Sequence, residues 1–171
     1  MIIDWDEKRV IKLTILVSLI FYFLSFTQIA YCTNECKSSS TVVLLGALGL
    51  FVEFADFLSH LLSLISGKST TFNADLGATI TWLSNPTYLF AILIFKYNNK
   101  LSLVLSLLSI SLILLFMCFN KVIDDEAGHY NLITELKLGY WLWLLSSGIL
   151  VVGSALIEIK SRKKAERINS K

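Results

Sequence analysis

Three ionisable residues interrupt an otherwise apolar stretch of this 171-residue chain: Glu53, Asp56 and His60. With Gly46, Gly49, Ser63 and Gly67 they follow one another at alternating steps of three and four, which on a helix places all seven on one face. An imidazole changes charge near neutral pH, so this face has the chemistry to pass protons or cations along a hydrated path. Asp56 and His60, four apart, also have the spacing to share a metal ion, although the set does not specify which metal. Two quieter roles suit the same residues: the wet stripe of a helix lying at a membrane surface, or a seam for helix association. The mean step of 3.5 residues favours packing against another helix, including the same helix of a second copy.

The element that carries this seam has to suit an apolar setting. The chain is 55% hydrophobic and 16% charged, with a mean hydropathy of +0.68, outside the range of ordinary soluble domains. Apolar runs cover 13–30, 42–65, 76–95, 101–119 and 138–159, and a bilayer core of about 30 Å needs about 20 helical residues. A single integral membrane domain is therefore expected, with the lipid bilayer as its first partner.

The distribution of Lys and Arg selects the number of crossings. If the run carrying the seam does not cross, both termini share one side with Lys8, Arg9, Lys12, Lys96, Lys100 and the six basic residues of the tail 160–171. Only Lys37, Lys68, Lys121 and Lys137 then face the other side, a strong positive-inside bias. Five crossings with the N-terminus inside reverse the bias; five with it outside give a weaker one. The expectation is an all-α membrane protein with four transmembrane helices at about 13–30, 76–95, 101–119 and 138–159. An additional re-entrant or interfacial helix covers about 41–67, and the basic tail is cytoplasmic. Such a tail, directly after a span, reads as an anchor beside anionic lipid and not as a nucleic-acid site.

Other chemistry-bearing residues fall outside the seam. Cys32 and Cys36, in the first outer loop, are close enough to bridge if the chain turns, and a disulfide suits an oxidising compartment. A thiol-relay oxidase would need a second pair, and only Cys118 remains, expected to serve as a small apolar residue near the end of its span. Asp124, Asp125, Glu126 and His129 crowd the second outer loop, where they read as a solvated acidic segment. Pro86 is the only proline, so a helix should start or kink at Asn85–Pro86, with the Asn85 amide free to satisfy backbone groups at the break. Ser102, Ser106 and Ser109 share one face. Ser146 with Gly153, and Ser147 with Ser154, repeat at seven residues, a spacing for close helix packing. Tyr31, Trp82, Tyr140, Trp141 and Trp143 are placed for an outer aromatic belt, with Trp5 and Tyr97 at inner ends.

Tyr31-Cys-Thr, Trp82-Leu-Ser-Asn-Pro86 and Glu126-Ala-Gly-His-Tyr leading to Gly139-Tyr-Trp-Leu-Trp143 together resemble a group of small bacterial four-helix membrane proteins. In that group the proline motif more often reads Trp-Leu-Ala-Asn-Pro, so Ser84 departs from it. The stretch before the motif is longer here, and the seam lies in that extra length. The resemblance implies a bacterial inner membrane and four crossings, but no activity. No hydrolase, kinase or nucleotide motif occurs and no cofactor is expected. The leading expectation is a non-enzymatic protein acting by interaction, as an accessory, immunity or stress component, alone or as a homo-oligomer. The alternative is an oligomeric channel or proton/cation-linked transporter with Glu53, Asp56 and His60 along its pathway.

Overall fold

A computed structural model describes the backbone of residues 5–66, 78–123 and 130–169. The elements in chain order are α1 (Trp5–Phe26), β1 (Ile29–Cys32), β2 (Cys36–Ser38), α2 (Ser39–Ile65) and a 3-10 helix, Ala78–Leu83. There follow α3 (Ser84–Phe95), α4 (Asn99–Leu115), a 3-10 turn (Phe116–Cys118), β3 (Lys121–Ile123), β4 (Tyr130–Leu132), β5 (Glu135–Leu136) and α5 (Leu138–Asn169). Among the described residues three helices are long and apolar enough to cross a membrane: Glu7–Phe26, Asn99–Cys118 and Leu138–Lys163. A shorter apolar helix, Ile80–Phe95, lies between them in sequence.

Four helices, α1, α3, α4 and α5, form an antiparallel bundle. Ile11 packs in one cluster with Ile157 and Phe95, while Ser18 reaches Ser146, so α1 and α5 run in opposite directions. The start of α1, the turn between α3 and α4, and the far end of α5 therefore share one end of the bundle. This is the basic end, carrying Lys8, Arg9, Lys12, Lys96, Lys100, Lys160, Arg162 and Lys163. The tail is not a loose extension: α5 runs unbroken to Asn169, because Lys, Arg, Glu and Ala are good helix formers. Arg162 Nε donates to Glu158 Oε1 at 2.9 Å in that stretch.

The run expected as one helix over 76–95 is described from 78 and is compound. Pro86 stands in the first turn of α3, where its missing N–H has no intrahelical partner to lose. The chain reaches it through the six-residue 3-10 segment. Twelve α-helical residues rise about 18 Å and six 3-10 residues about 12 Å, so together they cover about the 30 Å of a bilayer core.

At the opposite end both long connections fold into strands, where the sequence suggested only loops. β2, β1 and β5 make a three-stranded antiparallel sheet, with Cys32 opposite Cys36 on one side and Glu135 on the other. β3 and β4 form a separate hairpin with Lys121 opposite Leu132. Asp124, Asp125, Glu126 and His129 lie outside the described residues. Tyr31 and Tyr140 do not join an outer aromatic belt: each is 2% exposed, inside a cluster with Ala30, Ile113 and Phe116. The large rings are drawn into the junction between sheet and bundle because that is where the cap acquires an apolar floor. Trp143 is partly buried too, and Trp141 faces outward.

α2 is one continuous helix of 27 residues, about 40 Å long. The backbone of the expected extra helix is thus helical from Ser39 to Ile65, and the stretch 67–77 that follows it lies outside the described residues. α2 is anchored through its first two turns. Ser39 N donates to the Gln28 carbonyl at 3.0 Å, Val42 packs on the Tyr31–Ile113–Tyr140 cluster, and Gly46 abuts Trp82. A Cβ on Gly46 would stand 2.8 Å from Trp82 Cδ1, so glycine is what permits that contact.

Candidate functional site

The bundle interior combines an apolar cluster, with Phe95 and Leu150 fully buried, with an unusual number of buried serines, and its outside is apolar. Ser18, Ser84, Ser102, Ser106, Ser109, Ser146, Ser147 and Ser154 are fully buried, while Leu13, Leu16, Phe23, Phe90, Leu93, Val104, Leu108, Val152 and Leu156 are exposed. Small residues line the helix contacts because they let backbones approach, and each buried hydroxyl then needs a partner.

The partners form two rungs seven residues apart. Ser102 Oγ donates to the Ala91 carbonyl at 2.9 Å and lies 3.3 Å from Ser154 Oγ. Ser109 Oγ donates to the Ser84 carbonyl at 3.1 Å and lies 3.2 Å from Ser147 Oγ. A serine has one proton, and on α4 that proton goes to α3, so in each pair the α5 hydroxyl is the donor. Each rung thus crosses three helices. Ser106, between the rungs, donates to its own helix at the Leu103 carbonyl, 3.0 Å away.

A second network draws in α1. Ser18 Oγ donates to the Ser146 carbonyl at 2.7 Å and is 2.6 Å from the Tyr88 hydroxyl, which by the same proton count donates to it. Tyr22 stacks on Tyr88 with centroids 4.7 Å apart, and its hydroxyl donates to Asn85 Oδ1 at 3.1 Å. Asn85 Nδ2 in turn donates to the Trp82 carbonyl at 3.2 Å, where the 3-10 segment gives way to α3. Thr87 Oγ1 donates to the Leu83 and Ser84 carbonyls at the same junction. The helix break at Asn85–Pro86 is therefore held by side chains and tied to α1, and its geometry is that of a helix start. Two buried polar atoms lack a partner among the described residues: Ser84 Oγ and Trp143 Nε1. Ser18, Tyr22 and Tyr88 were not legible as a site in the sequence. The available signal was three polar tips inside apolar runs, each of which must find a partner when buried.

Beyond the bundle, the cap ties the two long connections together. Cys32 and Cys36 are bridged, and the Cys32 carbonyl accepts from both Thr134 N at 2.9 Å and Thr134 Oγ1 at 3.0 Å. Lys137 N donates to the Ala30 carbonyl at 2.8 Å. Gly139, the second residue of α5, lies beneath this sheet, where a Cβ would sit 2.7 Å from the Ile29 carbonyl oxygen. Cys118 is free and exposed, in the 3-10 turn that ends α4.

The α2 seam meets the bundle network at Gly46, which packs against Trp82. Ser63 is half-buried. The side chains of Glu53, Asp56 and His60, and the whole of Gly67, lie outside the described residues. The backbone of α2 is helical through Ser63, so positions 46, 49, 53, 56, 60 and 63 do share a face. Phe54, Leu58, Leu62 and Ile65 are exposed and fall on the opposite face. Among the described residues no group of three or more metal-ligating side chains occurs. Comparison with family models, curated proteins and solved structures gives no match.

Proposed function

We propose that the chain is a four-crossing membrane protein that acts by interaction and carries out no reaction of its own. The observation that carries this reading is the polarity of the bundle: serines and Asn85 are buried at the helix contacts beside an apolar cluster, while Leu13, Leu16, Phe23, Phe90, Leu93, Val104 and Val152 cover the outside. Such a surface suits lipid, and such an interior suits close helix packing. With the basic end in the cytoplasm, the capped end with its disulfide faces an oxidising compartment, and both termini are cytoplasmic. The resemblance drawn from the three sequence motifs supports a bacterial inner membrane as that membrane.

Interaction fits better than transport because the bundle's polar groups bond one another. Ser102 with Ser154 and Ser109 with Ser147 close the α4–α5 interface, and Ser18 with Tyr88 joins α1 to α3. The ionisable set is on α2, whose first two turns pack on the Tyr31–Ile113–Tyr140 cluster and on Trp82. A helix anchored at its start beside the capped face suits a protein partner in or near the outer leaflet.

Proton flux in liposomes tests the reading. The intact chain is expected to leave the pH gradient of loaded vesicles as stable as that of empty ones. A leak abolished by Glu53→Gln with Asp56→Asn would overturn it in favour of a pathway along the seam.

A further inference from the structure

We propose that the groove between α1 and α3 binds one anionic phospholipid, its phosphate on Lys8, Lys12 and Lys96 and an acyl chain along the groove. The inference rests on the reading that α1 and α3 both cross the membrane, with the basic end of the bundle at one interface.

The bundle is not closed equally on all sides. α1 meets α5 where Gly153 abuts Thr14, and α3 meets α4 through serine hydroxyls on the Ala91 and Ser84 carbonyls. α1 and α3 are bridged instead by whole rings, Tyr22 stacked on Tyr88, and their backbones stand further apart than those of the other two pairs. The helical period defines the walls of this groove. On α1, Lys8, Lys12, Ile15 and Leu19 follow at steps of four, three and four, and Ile15 and Leu19 pack on the tyrosine cluster. On α3, Asn85, Leu89, Ile92 and Lys96 take the same steps; Ile92 packs on that cluster and Asn85 accepts from Tyr22. The two helices run in opposite directions, so both walls end in lysine at the basic end. Ile11 and Phe95, the neighbours of Lys12 and Lys96, share one buried cluster, which sets the lysines of the two walls around one place.

The charge there is open. Lys8, Lys12 and Lys96 are exposed, and none pairs with a carboxylate among the described residues. Glu7 and Glu158, at the same end, are buried, and Glu158 is already held by Arg162. Charge complementarity selects the occupant. Ammonium groups gathered at headgroup depth call for a phosphodiester with no cation of its own, and the apolar walls below them suit its acyl chain. A zwitterionic lipid brings an ammonium that the lysines repel.

Native mass spectrometry of the full chain in neutral detergent, with dioleoyl phosphatidylglycerol or dioleoyl phosphatidylcholine added, tests the proposal. The chain should retain one phosphatidylglycerol and release phosphatidylcholine. Lys8→Gln, Lys12→Gln and Lys96→Gln together should weaken retention about a hundredfold, at about fivefold per lysine. Lys160→Gln with Lys163→Gln, at the same end but outside the groove, should weaken it less than the loss of any one groove lysine. Equal losses in the two sets would overturn the site in favour of a general attraction of the basic end. Equal retention of the two lipids, or displacement by millimolar glycerol phosphate, would overturn an anionic lipid as the occupant. All of these outcomes leave the four-crossing reading standing. That reading fails instead if Lys12→Cys and Asn98→Cys, in a Cys118→Ser background, are labelled from opposite sides of the membrane.

Discussion

Ser109 Oγ lies 3.2 Å from Ser147 Oγ and delivers its own proton to the Ser84 carbonyl, so one hydroxyl joins three helices. Seven residues along, Ser102 repeats the arrangement with Ser154 and Ala91. Interhelical polar contacts of this kind average about 0.6 kcal/mol in membranes, so Ser109→Ala should cost little. Ser109→Leu has to push α3 and α5 away from α4, at about 1–3 kcal/mol. Unfolding in mixed micelles should rank the two in that order, and equal losses would mean that the hydroxyl matters more than the space.

Two glycines permit close approaches of different kinds, which makes their rescue behaviour informative. A Cβ at Gly153 would run into the Thr14 side chain, whereas at Gly139 it would meet the Ile29 backbone carbonyl as well as Ser39 Oγ. Gly153→Ala and Gly139→Ala should each lower stability by about 1–3 kcal/mol. Thr14→Ala should recover part of the first loss. Ser39→Ala should recover little of the second, because the carbonyl stays. Thermal shifts of the four single and double variants in detergent measure this directly.

Asn85 serves the Tyr22 hydroxyl and the Trp82 carbonyl together. Asn85→Ala leaves both without their described partner and should cost about 1–3 kcal/mol. Ser84→Ala behaves differently. The serine hydroxyl has no described partner and is fully buried, so its removal should be neutral or stabilising. Chemical unfolding of the two neighbouring variants would reveal the contrast, and a large loss in Ser84→Ala would point to a hidden partner for that hydroxyl.

The disulfide closes a short loop, for which chain entropy gives about 2 kcal/mol. Cys32→Ser with Cys36→Ser should therefore loosen the β2–β1–β5 sheet and leave the bundle, whose rungs are remote from it, intact. Hydrogen exchange should accelerate over Ile29–Ser38 and Glu135–Leu136 while α4 and α5 keep their protection. Faster exchange throughout α4 and α5 would mean that the cap and the bundle unfold as one unit.

What could be read from the sequence was whatever repeats locally. The seven-residue spacings of Ser102 and Ser109, and of Ser147 and Ser154, mark helix faces because the helical period is fixed, and those faces do meet. Pro86 marked a helix start because its ring removes a donor whatever surrounds it. The cap was not legible: its strands are two to four residues long, and β1 pairs with β5 across about a hundred residues, beyond any local pattern. Tyr31 and Tyr140 misled for a related reason. A tyrosine near the end of an apolar run suits a lipid interface as well as a buried junction, and only the sheet above them decides between the two. The 3-10 entry to α3 was hidden because its apolar composition is that of an ordinary helix.

The central claim is that α1, α3, α4 and α5 cross the membrane and α2 does not. Single cysteines at Ser40, in the first turn of α2, and at Lys68, just past its end, introduced with Cys118→Ser, test it with a membrane-impermeant thiol reagent on intact cells. Four crossings predict that Ser40→Cys and Lys68→Cys both react at once. Ser40→Cys open with Lys68→Cys reacting only after permeabilisation would make α2 a fifth crossing and contradict the account.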